Sequence, residues 1–278
     1  MEELKKRNVS ATLVNFVVTR MYTGPWTLCY VRFDDGALGC GISNNEREVP
    51  SNLSFIKDLL GLDAYEAIRK LKNTDKNTFV NSLIISITSA LSSRLLKEEV
   101  LGEEGYMVKV SYVPDLSALD LRRYIRETDT VAMVGFHVML TSQIANIAKK
   151  VNVTELMDLK DLEVTDFAPE EYNVQIFPAY KNEEVLENAD VVIITGETIV
   201  NETIEDLLKF SRNARARIVY GPTCSFYPKV LFKEGVDVLS TVVIPTSPQF
   251  KRQFILSRGW WQGIKGVKFM SISKGGCM

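Results

Sequence analysis

Residues 190–211 read DVVIITGETIVNETIEDLLKFS, and this stretch decides the fold of the chain. Residues 190–195 are apolar on both faces of a strand, as expected when a strand is covered from two sides. A turn at Gly196 follows, and residues 202–211 have the pattern of a helix. A buried strand that leads through a glycine turn into a helix is the repeating unit of an open parallel sheet.

The same unit recurs through the second half of the chain. Further strands are predicted at 130–134, 153–159, 174–177, 216–220, 236–243 and 267–271. Helices are predicted at 119–127, 139–150, 226–233 and 249–257. Right-handed crossovers cover both faces of such a sheet. Residues 106–278 are therefore predicted to form a Rossmann-like α/β domain with a doubly wound, mainly parallel sheet.

Residues 1–105 have a different pattern and are predicted to form a separate α+β domain. Strands at 9–20 and on both sides of residue 35 give a three-stranded antiparallel meander. Helices are predicted to follow at 51–60, 62–72 and 78–98. In the last helix a stripe of small hydroxyl groups lies on one face. The stripe consists of Ser82, Ser86, Ser89 and Ser93. It indicates either close packing against a neighbouring element or the polar wall of a cleft.

A tight turn is predicted at Asp35-Gly36, which lies between two apolar runs. A two-residue type I′ turn favours this dipeptide, because both central residues need a positive φ. That turn places Cys29 opposite Ile42 and puts Cys29 and Cys40 on the same face of the hairpin. We therefore interpret both cysteines as small core residues rather than metal ligands.

Composition excludes several classes of protein. The chain has 278 residues, 46% of them hydrophobic, which is enough for a large buried core. The 33 Lys and Arg residues nearly balance the 35 Asp and Glu residues, so we expect no nucleic-acid or membrane partner. One histidine and four cysteines without a CxxC pair argue against a multi-histidine metal centre and a disulfide framework. The sequence contains no secretory signal or membrane span, so a cytoplasmic location is expected.

Ligands of an open parallel sheet bind beyond the carboxyl ends of its strands. Four loops qualify, at 135–142, 195–203, 221–225 and 245–248. The segment from Gly135 to Ala148 has no acidic residue, so the amides at its helix start are available to a phosphate or carboxylate. The helix after Asn201 differs, because three carboxylates already occupy the positive end of its dipole. An anion is therefore predicted at the loops that begin at Gly135 and Gly221.

Two residues near the first loop are candidates for chemistry. His137 lies just after a strand end, where it is either a general acid or base or a helix-start residue satisfied by the backbone. Asp158 lies about 20 residues further on, at the position of a ribose-binding acid in a dinucleotide site. The loop after Gly135 has one glycine where the dinucleotide fingerprint has three, so this motif is weak.

Other loop residues have two interpretations each. Cys224 is either a nucleophile paired with His137 or a structural residue of its turn. Asn201 is either a helix N-cap or part of a ligand site. Trp260 and Trp261 either close a cleft or fill the core.

Four linked segments resemble the Rossmann-like heavy-metal chelation domain family, whose function is not established. The segments are VAMVGF (131–136), TGETIVNET (195–203), GPT (221–223) and GVDVLSTVVI (235–244). The resemblance covers about residues 110–272. Members of that family carry an N-terminal domain similar to the enolase N-terminal fold, which matches the predicted meander followed by helices. The resemblance implies a ligand site between the two domains. It points to Gly135, Phe136, Thr195, Gly196, Thr198, Asn201, Thr203, Gly221, Pro222 and Thr223.

We therefore predict that the chain binds a small anionic ligand in an interdomain cleft. One form of this ligand is a heavy metal already bound to a small anionic chelator, because one histidine and unpaired cysteines make a poor soft-metal site. The alternative is an enzyme that uses a nucleoside-containing cofactor of the NAD or S-adenosylmethionine type, with His137 as acid or base. A third interpretation is a scaffold module whose turns are only structural. A homodimer is suggested by analogy with other Rossmann-like domains.

Overall fold

The computed structural model describes residues 1–19, 25–45, 49–112, 121–157 and 173–275. Its strands form two sheets, one of three strands and one of eight. The small sheet contains β1 (Ala11–Val18), β2 (Trp26–Phe33) and β3 (Leu38–Asn44), all paired antiparallel. The predicted three-stranded meander is confirmed.

The large sheet has the strand order of a Rossmann fold. Its strands are β4 (Tyr106–Ser111), β5 (Thr130–Val134), β6 (Lys150–Glu155), β7 (Val174–Pro178), β8 (Val191–Thr195), β9 (Ala216–Tyr220), β10 (Val238–Val243) and β11 (Lys268–Lys274). They are arranged β4-β11-β10-β9-β8-β5-β6-β7, and β5 to β10 are parallel. Counted in chain order, the parallel strands follow the sequence 3-2-1-4-5-6, whose winding direction reverses between β5 and β8. The predicted mainly parallel α/β sheet is confirmed.

Helices cover both sheets. They are α1 (Glu2–Lys6), α2 (Ser54–Lys57), α3 (Ala64–Lys72), α4 (Thr78–Ser92), α5 (Glu98–Glu103), α6 (Val138–Ala145), α7 (Asn182–Glu187), α8 (Glu197–Val200), α9 (Ile204–Phe210), α10 (Lys229–Lys233) and α11 (Pro248–Leu256). The short helix α8 is not predicted from the sequence. Of the helix predicted at 119–127, residues 119 and 120 lie outside the described residues, and the remainder contains a 3-10 turn at Leu121–Arg123. Across the described ranges, each helix is too short or too polar to cross a lipid bilayer.

Strand β8 shows why the large sheet is buried on both faces. Val191 and Ile193 belong to one apolar cluster, which includes residues of α6. Val192 and Ile194 belong to another, which includes residues of α7, α9, α10 and the first hundred residues. All four side chains are fully buried. Each contributes roughly 1.5–3 kcal/mol by leaving water, which explains the apolar run in the sequence.

The hairpin between β2 and β3 differs from its predicted register by one residue. Phe33 N donates to Ala37 O at 2.9 Å, and Cys29 lies opposite Gly41, one position before the predicted partner. Only Gly36 in this turn has a positive φ, at 82°. The loop is therefore a three-residue loop with one left-handed residue, and the predicted type I′ turn is wrong.

This shift changes the faces on which the two cysteines lie. A slip of one residue turns the side chains of a strand to the opposite face of the sheet. Cys29 packs in the cluster that contains α4, whereas Cys40 packs with residues around Trp261. Both are buried, so their interpretation as core residues is confirmed although the shared face is not.

Helix α4 lies directly on the glycines of β3. A Cβ added to Gly41 would lie 2.2 Å from Ala90 N and 2.2 Å from Ser86 O. Ser89 Oγ accepts a hydrogen bond from the backbone of the same strand, at Ile42 N. The small residues on both elements therefore permit close packing, which is the first of the two interpretations of the serine stripe.

The first and second parts of the chain share one apolar cluster. It includes Leu13 of β1, Leu83 of α4 and Leu239 of β10. Residues 106–111 form an edge strand of the large sheet, next to β11. The division of the chain at residue 105 stays a prediction.

Candidate functional site

A cavity of about 1210 Å³ opens at the carboxyl ends of the parallel strands. Its walls include the last residues or following loops of β5, β6, β8, β9 and β10, together with residues 259–267. We call it the strand-end cavity. It lies at the point where the winding of the sheet reverses, between β5 and β8, which is where open α/β sheets bind their ligands.

Most of the predicted site residues line this cavity. They are Gly135, Phe136, His137, Thr195, Thr198, Asn201, Thr203, Gly221 and Pro222. Two others do not line it. Gly196 N donates to Tyr220 O at 2.7 Å, and Thr223 is only 1% exposed, with Oγ1 accepting from Asn44 N at 3.1 Å. Asp158 lies outside the described residues.

Gly135 is the first residue after β5, and it lies against Thr195, the last residue of β8. Its φ is 88°, a region that side chains other than glycine rarely adopt. A Cβ at this position would lie 2.9 Å from Thr195 Cγ2. Gly135 N donates to Thr154 O at 2.8 Å, so the turn also remains attached to β6. Close approach and backbone conformation therefore both require glycine here.

His137 is the N-cap of helix α6 and also lines the cavity. Its Nδ1 accepts a hydrogen bond from Leu140 N at 3.3 Å. A neutral imidazole whose Nδ1 accepts carries its proton on Nε2. Desolvation by the surrounding residues lowers the pKa of His137 below its ordinary value of 6.5. The ring is therefore neutral at pH 7, and its role as an acid or base stays a prediction.

The start of helix α6 offers backbone donors to the cavity. Val138 and Met139 both line it, and their amide groups have no hydrogen-bond partner within the described part of the chain. The first turn of α6 contains no acidic residue. The preceding amide is different, because Phe136 N donates to Glu155 Oε2 at 2.8 Å. One donor that the sequence suggested for an anion is thus occupied by a carboxylate of the protein.

Glu155 is the candidate residue that sequence reasoning missed. Strand β6 ends at Glu155, four residues before its predicted end. The side chain lines the cavity, and its Oε1 accepts from Leu156 N at 2.7 Å and Met157 N at 3.1 Å. Glu155 follows Gly135 by 20 residues, so the spacing rule that selected Asp158 also fits Glu155 once the strand end is correct.

The carboxylate of Glu197, which also lines the cavity, links helix α8 to the small sheet. Glu197 Oε1 accepts from Asn44 Nδ2, at the end of β3, at 2.6 Å. Burial raises the pKa of Tyr220, and the nearby carboxylates of Glu197 and Glu155 raise it further. The Tyr220 hydroxyl is therefore protonated at pH 7. The charged side chains lining the cavity, within the described residues, are Glu155, Glu197 and Lys265.

The two adjacent tryptophans have different roles. Trp261 is 4% exposed and packs edge-on against Trp26, with ring centroids 5.9 Å apart. Trp260 is 57% exposed, and both tryptophans line the cavity. Of the described residues before 106, Trp26 is the one that reaches the cavity wall. One wall is therefore aromatic and comes mainly from residues 259–267.

Asn201 holds the start of helix α9 without being its N-cap. The N-cap residue is Thr203, and its Oγ1 donates to Asn201 Oδ1 at 2.7 Å. Both side chains line the cavity. The prediction of Asn201 as the N-cap is therefore wrong by two residues, although its oxygen does accept bonds at this helix start.

Cys224 is not suited to nucleophilic attack. Its side chain is fully buried, Sγ donates to Gly221 O at 3.0 Å, and it does not line the cavity. Burial raises the pKa of the thiol to about 12, and the nucleophilic form is the thiolate. A nucleophilic pair with His137 is therefore not supported.

The residues that the structure describes do not fit a soft-metal site made by the protein alone. In the ranges that the structure describes, no three His, Cys, Asp or Glu residues come together to hold a metal ion. Burial also raises the pKa values of the Cys29 and Cys40 thiols, which keeps them protonated. Thiols bind metals as thiolates, so these cysteines are unsuited to the task.

Comparison with known proteins identifies similar sequences and folds. A family model, DUF364, described as "Putative heavy-metal chelation", matches residues 117–259. A DUF364 protein of unknown function from Pyrococcus horikoshii is 16% identical with a TM-score of 0.69, over 98% of this chain and 96% of that one. Another, from Desulfitobacterium hafniense, is 20% identical with a TM-score of 0.68, over 95% and 93%. No curated protein matches the chain.

Proposed function

This chain belongs to the DUF364 family, and on that basis we propose that it binds a small organic ligand with an anionic group, of which a heavy-metal chelate is one example. The observation that carries the proposal is the strand-end cavity of about 1210 Å³. This volume is somewhat above the roughly 300–1,000 Å³ of typical small-molecule sites, so the cavity can hold such a ligand. The cavity combines aromatic surface with hydroxyl and amide groups, which suits a ligand that is partly flat and partly polar.

The start of helix α6 is the proposed position of the anionic group. Within the described ranges, the amides of Val138 and Met139 have no acceptor, and the helix dipole favours negative charge there. Lys265 adds a positive charge to the lining. The Glu155 and Glu197 carboxylates already accept hydrogen bonds from the protein, which reduces their repulsion of an anion.

A metal in this cavity would come with its own ligands. A chelate supplies the donor atoms that the described residues lack, and the protein then recognises the organic part. A chelate would explain how a protein of a family described by heavy-metal chelation binds a metal although Cys29 and Cys224 are buried and protonated.

Binding of chelates and of the free metal distinguishes these possibilities. Isothermal titration calorimetry with citrate and EDTA, each alone and as the Ni²⁺ complex, should give saturable binding for a chelate. Free Ni²⁺ should give none. Stoichiometric binding of free Ni²⁺ by folded protein would contradict the proposal, and no binding of any of these probes would exclude a metal chelate as the ligand.

Replacement of Val138 by proline tests the helix start directly. Val138 is the first residue of α6, where proline is tolerated, and His137 before it has an extended backbone with φ −133° and ψ 103°. Val138→Pro removes one amide donor and should weaken binding of the responding chelate roughly tenfold. Val138→Ala keeps the donor and is the control. Equal affinities for the two variants would show that the amide does not bind the anion.

A second candidate function is an enzyme that uses a nucleoside-containing cofactor of the NAD or S-adenosylmethionine type. The order of the six parallel strands, which is that of dinucleotide-binding Rossmann folds, favours it. His137 would act as the acid or base through Nε2, since Nδ1 caps the helix. Mass spectrometry of the supernatant from heat-denatured protein tests this function by detecting a bound nucleoside. A supernatant without any nucleoside, from protein purified without dialysis, would count against it.

A further inference from the structure

We propose that Glu155 accepts a hydrogen bond from a ribose hydroxyl, so that the anionic ligand of the strand-end cavity is a ribonucleotide. The inference rests on the proposed function, since it requires the cavity to bind a small anion, and it adds the chemical class of that anion. It also assigns a specificity-determining residue to the site.

The position of Glu155 in the sheet is the first support. It is the last residue of β6, which is second among the parallel strands in chain order and lies next to the first, β5. The carboxyl ends of these neighbours meet, and Phe136 N in the loop after β5 donates to Glu155 Oε2 at 2.8 Å. The carboxylate is therefore fixed beside the Gly135 turn and the start of α6, and all three line the cavity.

The hydrogen-bonding capacity of this carboxylate is the second support. An ionised carboxylate is an acceptor only, with about four lone-pair positions. Oε1 accepts from Leu156 N and Met157 N, and Oε2 accepts from Phe136 N. Within the described residues, one position on Oε2 has no donor. It can bind a hydroxyl donor and repels a phosphate, so the sugar is assigned to Glu155 and the phosphate to the α6 amides.

Exposed apolar side chains beside this carboxylate are the third support. Leu156 follows Glu155 directly and is 70% exposed, and Met139, in the first turn of α6, is 60% exposed. Both line the cavity. Large apolar side chains left in water at the mouth of a cavity are a feature of ligand sites. The flat face of a nucleobase attached to the ribose would cover such a surface.

The test compares adenosine 5′-monophosphate with its 2′-deoxy and 3′-deoxy analogues on the unmodified protein. Isothermal titration calorimetry should show saturable binding of the ribonucleotide. One of the two deoxy analogues should bind about tenfold more weakly, because it lacks a hydrogen bond to a charged acceptor. The comparison uses one protein, so it does not depend on how any variant folds.

Two variants assign the effect to the residue. Glu155→Gln should weaken binding of adenosine 5′-monophosphate about tenfold and should remove the discrimination against the deoxy analogue. Glu187→Gln, which changes an exposed carboxylate of α7 outside the cavity lining, should leave both affinities unchanged.

The outcomes separate this inference from the proposed function. Equal affinities for all three nucleotides, or no nucleotide binding while citrate or EDTA chelates bind, would overturn the inference and leave the proposed function standing. If neither nucleotides nor chelates bind to folded protein, both fail. Discrimination against one deoxy analogue that is lost in Glu155→Gln supports the inference.

Discussion

At the scale of single residues, His137 combines two tasks on one ring. Nδ1 closes the first turn of α6, so Nε2 is the nitrogen left for a ligand in the cavity. Protonation of Nδ1 would remove the acceptor for Leu140 N and thereby weaken the helix start. The geometry of the site is therefore coupled to the protonation state of this histidine.

The pH dependence of this coupling has a definite sign. Because desolvation lowers the pKa of His137 below 6.5 in the folded protein, the unfolded chain binds its proton more readily. The stabilisation is full above pH 6.5 and is lost as the pH falls through the lower, folded pKa. The chain has one histidine, so a single imidazole signal in an NMR titration should report a pKa below 6.5.

Two variants check the same residue by urea unfolding. His137→Ala should cost about 1 kcal/mol at pH 7.5, because the N-cap is lost. His137→Asn keeps an acceptor that does not titrate, so it should retain that stability and lose less of it than the natural protein between pH 7.5 and 5. A histidine pKa at or above 6.5 would contradict the assignment.

Single residues also show how far sequence reasoning can reach. Gly135 and His137 were predicted because glycine turns and strand ends leave local signals. Sequence reasoning misses Glu155 because it places the end of β6 four residues too late. The hydrogen bond that Glu155 accepts from Phe136 N also depends on the pairing of β5 with β6. A local pattern does not contain that information.

At the scale of elements, the contact between α4 and β3 depends on residues without side chains. Gly41→Ala should destabilise the protein by about 2–3 kcal/mol, because the added Cβ meets backbone atoms of Ala90 and Ser86 that cannot move aside. Gly102→Ala is the matched control. Gly102 lies within α5 with no atom near its missing Cβ, so alanine should stabilise it by about 0.5–1 kcal/mol. Equal urea midpoints for both variants would contradict the close packing.

Strands were predicted more accurately than turns. The bounds of β5 and β9 agree with the sequence prediction because each is a short apolar run bounded by turn residues. The β2–β3 register was wrong by one because a dipeptide such as Asp35-Gly36 fits two loop lengths, and tertiary packing selects between them. Here the glycines of β3 must face α4, which fixes the longer loop.

At the scale of the whole molecule, the parts before and after residue 105 are tightly joined. They share one apolar cluster, and Arg7 forms hydrogen bonds with both Glu104 and Tyr227. The Tyr227 hydroxyl also donates to Glu104. Neither part can expose its share of this interface to water without losing a large apolar contact.

We therefore expect the chain to unfold in one cooperative step. Differential scanning calorimetry should give a single transition whose calorimetric and van't Hoff enthalpies agree. Far-ultraviolet and tryptophan signals should change at the same temperature. Two separated transitions would show that the predicted domains are energetically independent.

The location of the cavity was predictable, but its walls were not. Open parallel sheets bind ligands beyond the carboxyl ends of their strands, so the position of the cavity follows once the strands at 130–134 and 190–195 are recognised. The aromatic wall depends on how residues 259–267 fold back over β10, and this contact is remote in sequence from the Gly135 loop.

The pairing of β4 with β11 has a consequence for how the chain is made. Residues 106–111 form hydrogen bonds with residues 268–274, so this edge of the large sheet can close only after residues 268–274 have left the ribosome. Until then β4 has an open hydrogen-bonding edge, and the six parallel strands can assemble without it. Ribosome-bound chains that end before residue 268 should therefore bind chaperones through β4, and β4 should stop binding them once β11 has emerged.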